Sequence, residues 1–293
     1  MPPVSPFCLA AHCSVSATLV EAAHGQTPWL LDAGEGTLGQ LYRARGATGA
    51  TAIVARMPAI FVSHMHADHH LGVLGILRAR QMLPTPPAVP LVIVGPAPLE
   101  LVLTELQACL ELPPYTFVDA DRLRPGRTDH EARYAAPSWR EGVELFPHHG
   151  YKSACVARHV CRRELVRHAL GGIVVDAVPV VHCPLAYGYV FARTEGGEAW
   201  KLVYADGASL AGLGASTQLI VRSTLRGSLY PVSFSGDTRP CTALISAGKK
   251  ATWLIHEATF DDQLRDDAIA KRHSTLTDAL SVAVQYASAM REA

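Results

Sequence analysis

The apolar and polar positions alternate between short apolar runs and stretches with helical spacing. Residues 16–20 (SATLV) and 29–32 (WLLD) read as strands, and the turn residues His24-Gly25-Gln26-Thr27-Pro28 between them predict a hairpin. Residues 34–37 (GEGT) turn into a helix-like stretch over 38–45. Residues 59–63 (AIFVS) form a nearly continuous apolar run, the pattern of a strand buried on both faces. A loop over 64–70 follows, then helical spacing over 71–83 that stops at Pro84. The proline-rich 84–90 reads as a rigid connector, 91–94 as a second buried strand and 98–112 as a helix. No clear period runs from Pro113 to about Gly150. Further on, 151–169 reads as a helix and 172–181 as a strand that delivers His182. Strands are predicted at 187–192 and 201–204 around the turn 195–198. Residues 232–234 lead into Ser235-Gly236-Asp237 and 252–255 into His256-Glu257. A last helix is predicted from about Ser274 to Met290, with Ser274 or Thr275 as N-cap.

The recurring unit is an apolar strand, then polar residues at its C-terminal end, then a helix. That unit predicts an α/β fold, with ligands gathered along one sheet edge. The chain has 293 residues, 49% hydrophobic and 18% charged, which excludes a disordered chain and is long enough for a substantial core in one domain. Lysine plus arginine equals aspartate plus glutamate at 26 each, so no global basic footprint exists and any RNA-binding surface has to be local. The basic set Arg158, Arg162, Arg163 and Arg167 on a predicted helix is expected to be a solvated face rather than an RNA contact. Seven cysteines without a C-x-x-C pair predict reduced thiols and no disulfide scaffold. No apolar run approaches the ~20 residues of a membrane span. The first 20 residues hold no Lys or Arg, so no targeting signal is read there.

The 14 histidines matter by position. His64-Met65-His66-Ala67-Asp68-His69-His70 follows an apolar strand. An H-x-H pair on an extended loop puts two imidazoles on one side, and Asp68 and His69 can reach a second cation beside the first. Two divalent ions ~3.5–4 Å apart form a clamp for in-line phosphodiester hydrolysis. Imidazole and carboxylate without thiolate suit catalytic zinc. His182, Asp237 and His256 lie at the ends of other strands, and His273 precedes a helix. A carboxylate such as Asp237 can bridge two metals.

With these motifs the chain resembles the tRNase Z family of the metallo-β-lactamase superfamily, most closely the catalytic C-terminal half of its long form. The resemblance rests on SATLV (16–20), LDAGEGTLGQL (31–41), FVSHMHADHHLG (61–72), HCPLAYG (182–188), FSGDTRP (234–240), LIHEATF (254–260) and HST (273–275). It implies a four-layer αβ/βα sandwich of two mixed sheets and endonucleolytic removal of the 3′ trailer from precursor tRNA. It also implies two zinc ions: His64, His66 and His182 as ligands of one, Asp68 and His69 of the other, and Asp237 as the bridge. Asp68 matches the general base and His273 a proton-transfer residue; Asp32, His256 and Glu257 match groups that orient the ligands. Nuclear or mitochondrial placement follows from the same likeness, as do a monomer for long forms and a dimer for short ones.

Three departures shape the expectation. The family's further ligand histidine, on a strand end after the HST step, has no counterpart among the 20 residues that follow His273. The glycine-rich opening strand is replaced by FCLAAHCS (7–14), and 205–233 adds 29 residues, read as an insertion. The chain is thus expected to be one domain truncated at both ends, with a second metal site one ligand short, and to be weakly active or inactive on precursor tRNA. Two alternatives accompany this reading: another phosphodiesterase of the superfamily, acting on small cyclic nucleotides, and a non-catalytic remnant of the fold.

Overall fold

The two apolar runs at 59–63 and 91–94 form the parallel centre of a sheet, because both of their faces are covered. In the computed structural model, the described residues are 5–8, 16–22, 26–127, 162–193, 200–204, 218–222, 232–234, 237–248 and 253–288. The first sheet runs in chain order: β1 (Ser5–Cys8), β2 (Thr18–Ala22), β3 (Gln26–Leu31), β4 (Ala59–Phe61), β5 (Leu91–Gly95) and β6 (Tyr115–Asp119). Its first two pairings are antiparallel, the hairpin of β2 and β3 among them, and the rest are parallel. The second sheet contains β7 (Val174–Pro179), β8 (Tyr187–Arg193), β9 (Trp200–Tyr204), β10 (Gln218–Arg222), β11 (Val232–Phe234) and β12 (Trp253–Glu257), in the order β10-β12-β11-β9-β8-β7. Strands β9, β11 and β12 are mutually parallel, and β10, β8 and β7 join antiparallel.

Side-chain alternation along the strands builds the layers. Trp29, Leu31, Phe61, Val92 and Val94 point between the sheets and meet Val175, Ala177, Tyr189 and Phe191 of the second sheet. The intervening residues Leu30, Ile60 and Ile93 point the other way. They meet Leu41 and Ile53 of α1 (Thr37–Arg56), Ile76 and Leu77 of α3 (Val73–Gln81), and Leu99 and Leu103 of α4 (Ala97–Leu110). On the far side Val178, Val190 and Leu254 pack under Leu244 of α6 (Thr242–Ala247) and Val282 of α8 (Leu276–Ser288). Helices, sheet, sheet and helices make the expected four-layer αβ/βα sandwich. Phe61 edges against Phe191 at 4.8 Å and Tyr189 at 5.3 Å. The Tyr189 hydroxyl donates to the Val62 carbonyl at 2.7 Å, locking the sheets together beside the histidine loop.

Several elements differ from expectation. Helix resumes past Arg45 across a kink at Gly46, whose positive φ of 66° with ψ 173° is a non-helical conformation that glycine tolerates. Residues 67–70 are a helical turn, α2 (Ala67–His70), rather than loop. β6 falls in the stretch that carries no period, because it is an edge strand and most of its residues are only partly buried. Its 3-10 extension Ala120–Leu123 and helix α5 (Arg162–Ala169) are joined by Arg163, which donates to the carbonyls of Leu123 at 2.8 Å and Val175 at 3.1 Å and pairs with Asp176. Arg163 is therefore a packing anchor, not part of a solvated face. Arg158 lies outside the described residues, as do 151–161, which precede α5. Within 205–233, strand β10 pairs with β12 and β11 begins at Val232; residues 205–217 and 223–231 lie outside the described residues. Among the described residues no helix is long and apolar enough to cross a membrane.

Candidate metal centre

Asp32 ends β3 at φ 55°, a left-handed conformation that turns its buried carboxylate back toward the loop after β4. Its Oδ1 accepts from the Ser63 amide at 2.6 Å, and its Oδ2 accepts from the Ser63 hydroxyl at 2.7 Å and faces His69 Nδ1 at 2.9 Å. Backbone bonds fasten α2 to the same place. The Ala33 amide donates to the His69 carbonyl at 2.8 Å, Ser16 to Asp68 at 2.9 Å and Gly72 to Ala33 at 2.8 Å. Gly72 has to be glycine, because a Cβ there would lie 2.0 Å from the Gly34 carbonyl oxygen.

On this support the predicted ligands converge. His64 Nε2 and His66 Nδ1 are 2.9 Å apart, and His182 Nε2 is 3.2 Å from the same His66 nitrogen. Asp237, 3% exposed, directs Oδ2 at four imidazoles: His182 Nε2 at 3.4 Å, His273 Nε2 at 3.7 Å, His64 Nε2 at 3.8 Å and His69 Nε2 at 3.9 Å. Asp68 Oδ2 lies 3.5 Å from His69 Nε2. The seven residues expected from the sequence to ligate a metal or move a proton therefore gather in one place.

The outward ring nitrogens explain the inward ones. His69 Nδ1 donates to Asp32, His182 Nδ1 to the Arg272 carbonyl at 3.3 Å, and His273 Nδ1 to Glu257 Oε1 at 3.2 Å, while His64 Nδ1 meets the Ser63 hydroxyl at 2.9 Å. An oxygen behind each ring leaves the Nε2 lone pair facing the centre, the arrangement that orients histidine toward a metal. Glu257 also accepts from the Thr238 amide at 2.5 Å and the Ser274 amide at 2.9 Å. Asp32 and Glu257 thus orient rings as expected. His256 does not: its Nδ1 turns to the Glu257 carbonyl at 2.8 Å.

Protonation follows from burial and crowding. Burial, then the facing imidazoles, push His64 well below the ordinary histidine value and lower His66 as well. Burial and His273 bring His182 down to about 4. Burial pushes Asp68 up, but the hydrogen bond and charge of His69 outweigh it and hold the carboxyl below its usual value. Neutral imidazoles beside ionised carboxylates are the forms that ligate a cation. The groups His64, His69, Asp237 and His182, Asp237, His273 each have the compactness of a metal site. Ser63, Cys183, Arg239 and Arg272 were not singled out from the sequence. Arg272 donates to the His182 carbonyl at 2.7 Å, and Arg239 to the His273 carbonyl at 2.8 Å and to Asp278 at 2.5 Å. Their adjacency to His182, Asp237 and His273 was the available signal.

The fold and the site define a protein of the metallo-β-lactamase type. No protein-family model matches the chain. Among solved structures, a long form RNase Z from yeast superposes with a TM-score of 0.66 at 21% identity, covering 97% of this chain and 36% of that one. The short form of human tRNase Z superposes at 0.54 and 20% identity, covering 96% and 87%. Within that class the chain is a homologue of the tRNase Z proteins. It is 34% identical over 269 residues to the mitochondrial tRNase Z TRZ3 of Arabidopsis thaliana, covering 86% of this chain and 27% of the relative. To zinc phosphodiesterase ELAC protein 2 of Homo sapiens it is 32% identical over 276 residues, covering 93% and 26%. The chain spans about a quarter of the length of these curated relatives.

Proposed function

We propose that the chain is the catalytic region of a zinc-dependent endoribonuclease that removes the 3′ trailer from precursor tRNA. The observation that carries this reading is the convergence of four imidazole nitrogens on the single oxygen Asp237 Oδ2, which fits a carboxylate bridging two cations. His64, His66 and His182 with Asp237 would hold one cation, and Asp68 and His69 with Asp237 would hold the other. Imidazole with carboxylate suits zinc. When bound, the pair of cations lowers the pKa of an attacking water and stabilises charge developing on the phosphodiester.

The residues divide the proton work. Asp68 is ionised at neutral pH because His69 stabilises its carboxylate, so it accepts the proton that the attacking water loses. His273 presents Nε2 beside Asp237 while Glu257 holds its Nδ1–H; once Nε2 has taken up a proton from solvent, the imidazolium, stabilised by Glu257, supplies that proton to the leaving ribose oxygen as the phosphorus–oxygen bond breaks. The Asp68–His69 side offers fewer protein donors than the three-histidine side and would hold its zinc less tightly. Mitochondrial placement is supported by the names of the plant relatives. Single-turnover cleavage of a precursor tRNA by the zinc-loaded protein tests the reading. Trailer release is expected for the wild type and its loss for His64→Ala. Equal cleavage by both proteins overturns it.

A further inference from the structure

The division of ligands above leaves one donor of the cluster unused. Cys183 directly follows His182, and its Sγ belongs with the nitrogens of His64, His66 and His182 to one group whose donor atoms all lie within 4.8 Å of one another. Asp237 belongs to the other groups and not to this one. The three imidazoles therefore have two alternative fourth ligands, a carboxylate and a thiol.

We propose that His64, His66, His182 and Cys183 form a site for a thiophilic divalent cation, with Cys183 Sγ taking the place of Asp237 as fourth ligand. A tetrahedral ion with metal–sulfur and metal–nitrogen bonds of about 2.3 and 2.0 Å spaces sulfur and nitrogen about 3.5 Å apart, so donors no more than 4.8 Å apart close by at most about 1.3 Å. Cys183 is only partly buried, and Leu185 two residues on adopts φ 60° in an exposed turn, so the segment can make that adjustment. On binding, the thiol proton passes to solvent, a sulfur–metal bond forms, and nothing is oxidised or reduced. Thiolate is a soft ligand and selects soft cations, whereas carboxylate suits harder ones. The same three histidines thus accept zinc with Asp237 and a softer cation with Cys183, and the softer ion leaves Asp237 unshared between two sites.

This inference rests on the reading of His64, His66 and His182 as metal ligands, and cadmium alone is the probe. The full chain, stripped with a chelator, is titrated with cadmium while the ultraviolet thiolate-to-cadmium charge-transfer band is followed. A parallel titration with zinc is read as metal bound per chain. The wild type is expected to show one equivalent more of band than Cys183→Ser. The variant should bind cadmium at least tenfold more weakly while retaining zinc, and Cys109→Ser should keep the full band. Cys183→Ala serves as a second variant with the same expectation. A Cys183→Ser protein with the wild-type band and cadmium affinity overturns the proposal. Zinc binding by the wild type without any thiolate band overturns it and leaves the metal-centre reading standing. Failure to bind either ion overturns both.

Discussion

Gly72→Ala strikes the contact that holds the second half of the metal centre. The new Cβ would sit 2.0 Å from the Gly34 oxygen and 2.9 Å from the Ala33 oxygen, and both are backbone atoms with no rotamer to swing aside. Real Cβ contacts essentially never fall under 3.0 Å, so α2 and the 32–34 loop have to part by about 1 Å. That separation breaks the Gly72–Ala33 and Ala33–His69 backbone bonds, both 2.8 Å, and lengthens the 2.9 Å contact of Asp32 with His69. Two or three buried hydrogen bonds at about 1 kcal/mol each, plus residual overpacking of about 1–3 kcal/mol, give a loss of roughly 3–6 kcal/mol. The cations should respond unequally. Asp68 and His69 ride on the displaced turn, while His64 follows β4 and His182 follows β7. Urea unfolding of the metal-free protein should show the lower midpoint, and the zinc-loaded variant should keep about one zinc and release the other. An unchanged midpoint together with full zinc occupancy would refute the argument.

Three further outcomes are expected. His273→Ala should slow precursor cleavage about 10²–10⁴-fold with zinc content intact, because the ring is assigned to proton transfer rather than to holding the metal; loss of zinc on dialysis would make it a ligand instead. Arg272→Ala removes the 2.7 Å bond to the His182 carbonyl but leaves the Arg272 carbonyl behind the ring, so zinc affinity should fall about tenfold in a competition titration, and unchanged affinity would dismiss the clamp. Burial depresses His182 from 6.5 to about 4 in the folded protein, so below pH 6.5 the unfolded chain binds the extra proton first. Stability of the metal-free protein is therefore fullest above that pH and falls by at most about 3 kcal/mol as pH drops through 4. Chemical denaturation midpoints that stay level or rise between pH 7 and 5 would contradict this.

What could be read in advance followed from how each feature is built. β4 and β5 are buried on both faces, so their apolar runs are continuous and announce themselves. His64, His66, Asp68 and His69 crowd into six residues, because one loop and one helical turn supply residues for both halves of the proposed centre. β6 hid because an edge strand carries mixed burial, and its Pro113-Pro114 approach reads as loop. The continuation of α1 past Gly46 hid because Gly46, Gly49 and two threonines are poor helix formers; Ala50, Ile53 and Val54 hold it there by packing on the first sheet. The ring-orienting contacts were partly out of reach, since Asp32 meets Ser63 across 31 residues and Arg272 meets His182 across 90. No local pattern encodes which distant oxygen will stand behind a given imidazole.

The central claim is that Asp237 joins two cations into one hydrolytic centre. It is tested most directly by measuring zinc per chain and single-turnover release of the 3′ trailer on the same preparations of wild type and Asp237→Ala. The account predicts trailer release by the zinc-loaded wild type, and in the variant both a loss of bound zinc and at least a tenfold fall in cleavage with the fold retained. A variant that keeps the wild-type zinc content and cleaves within tenfold of the wild type would contradict it.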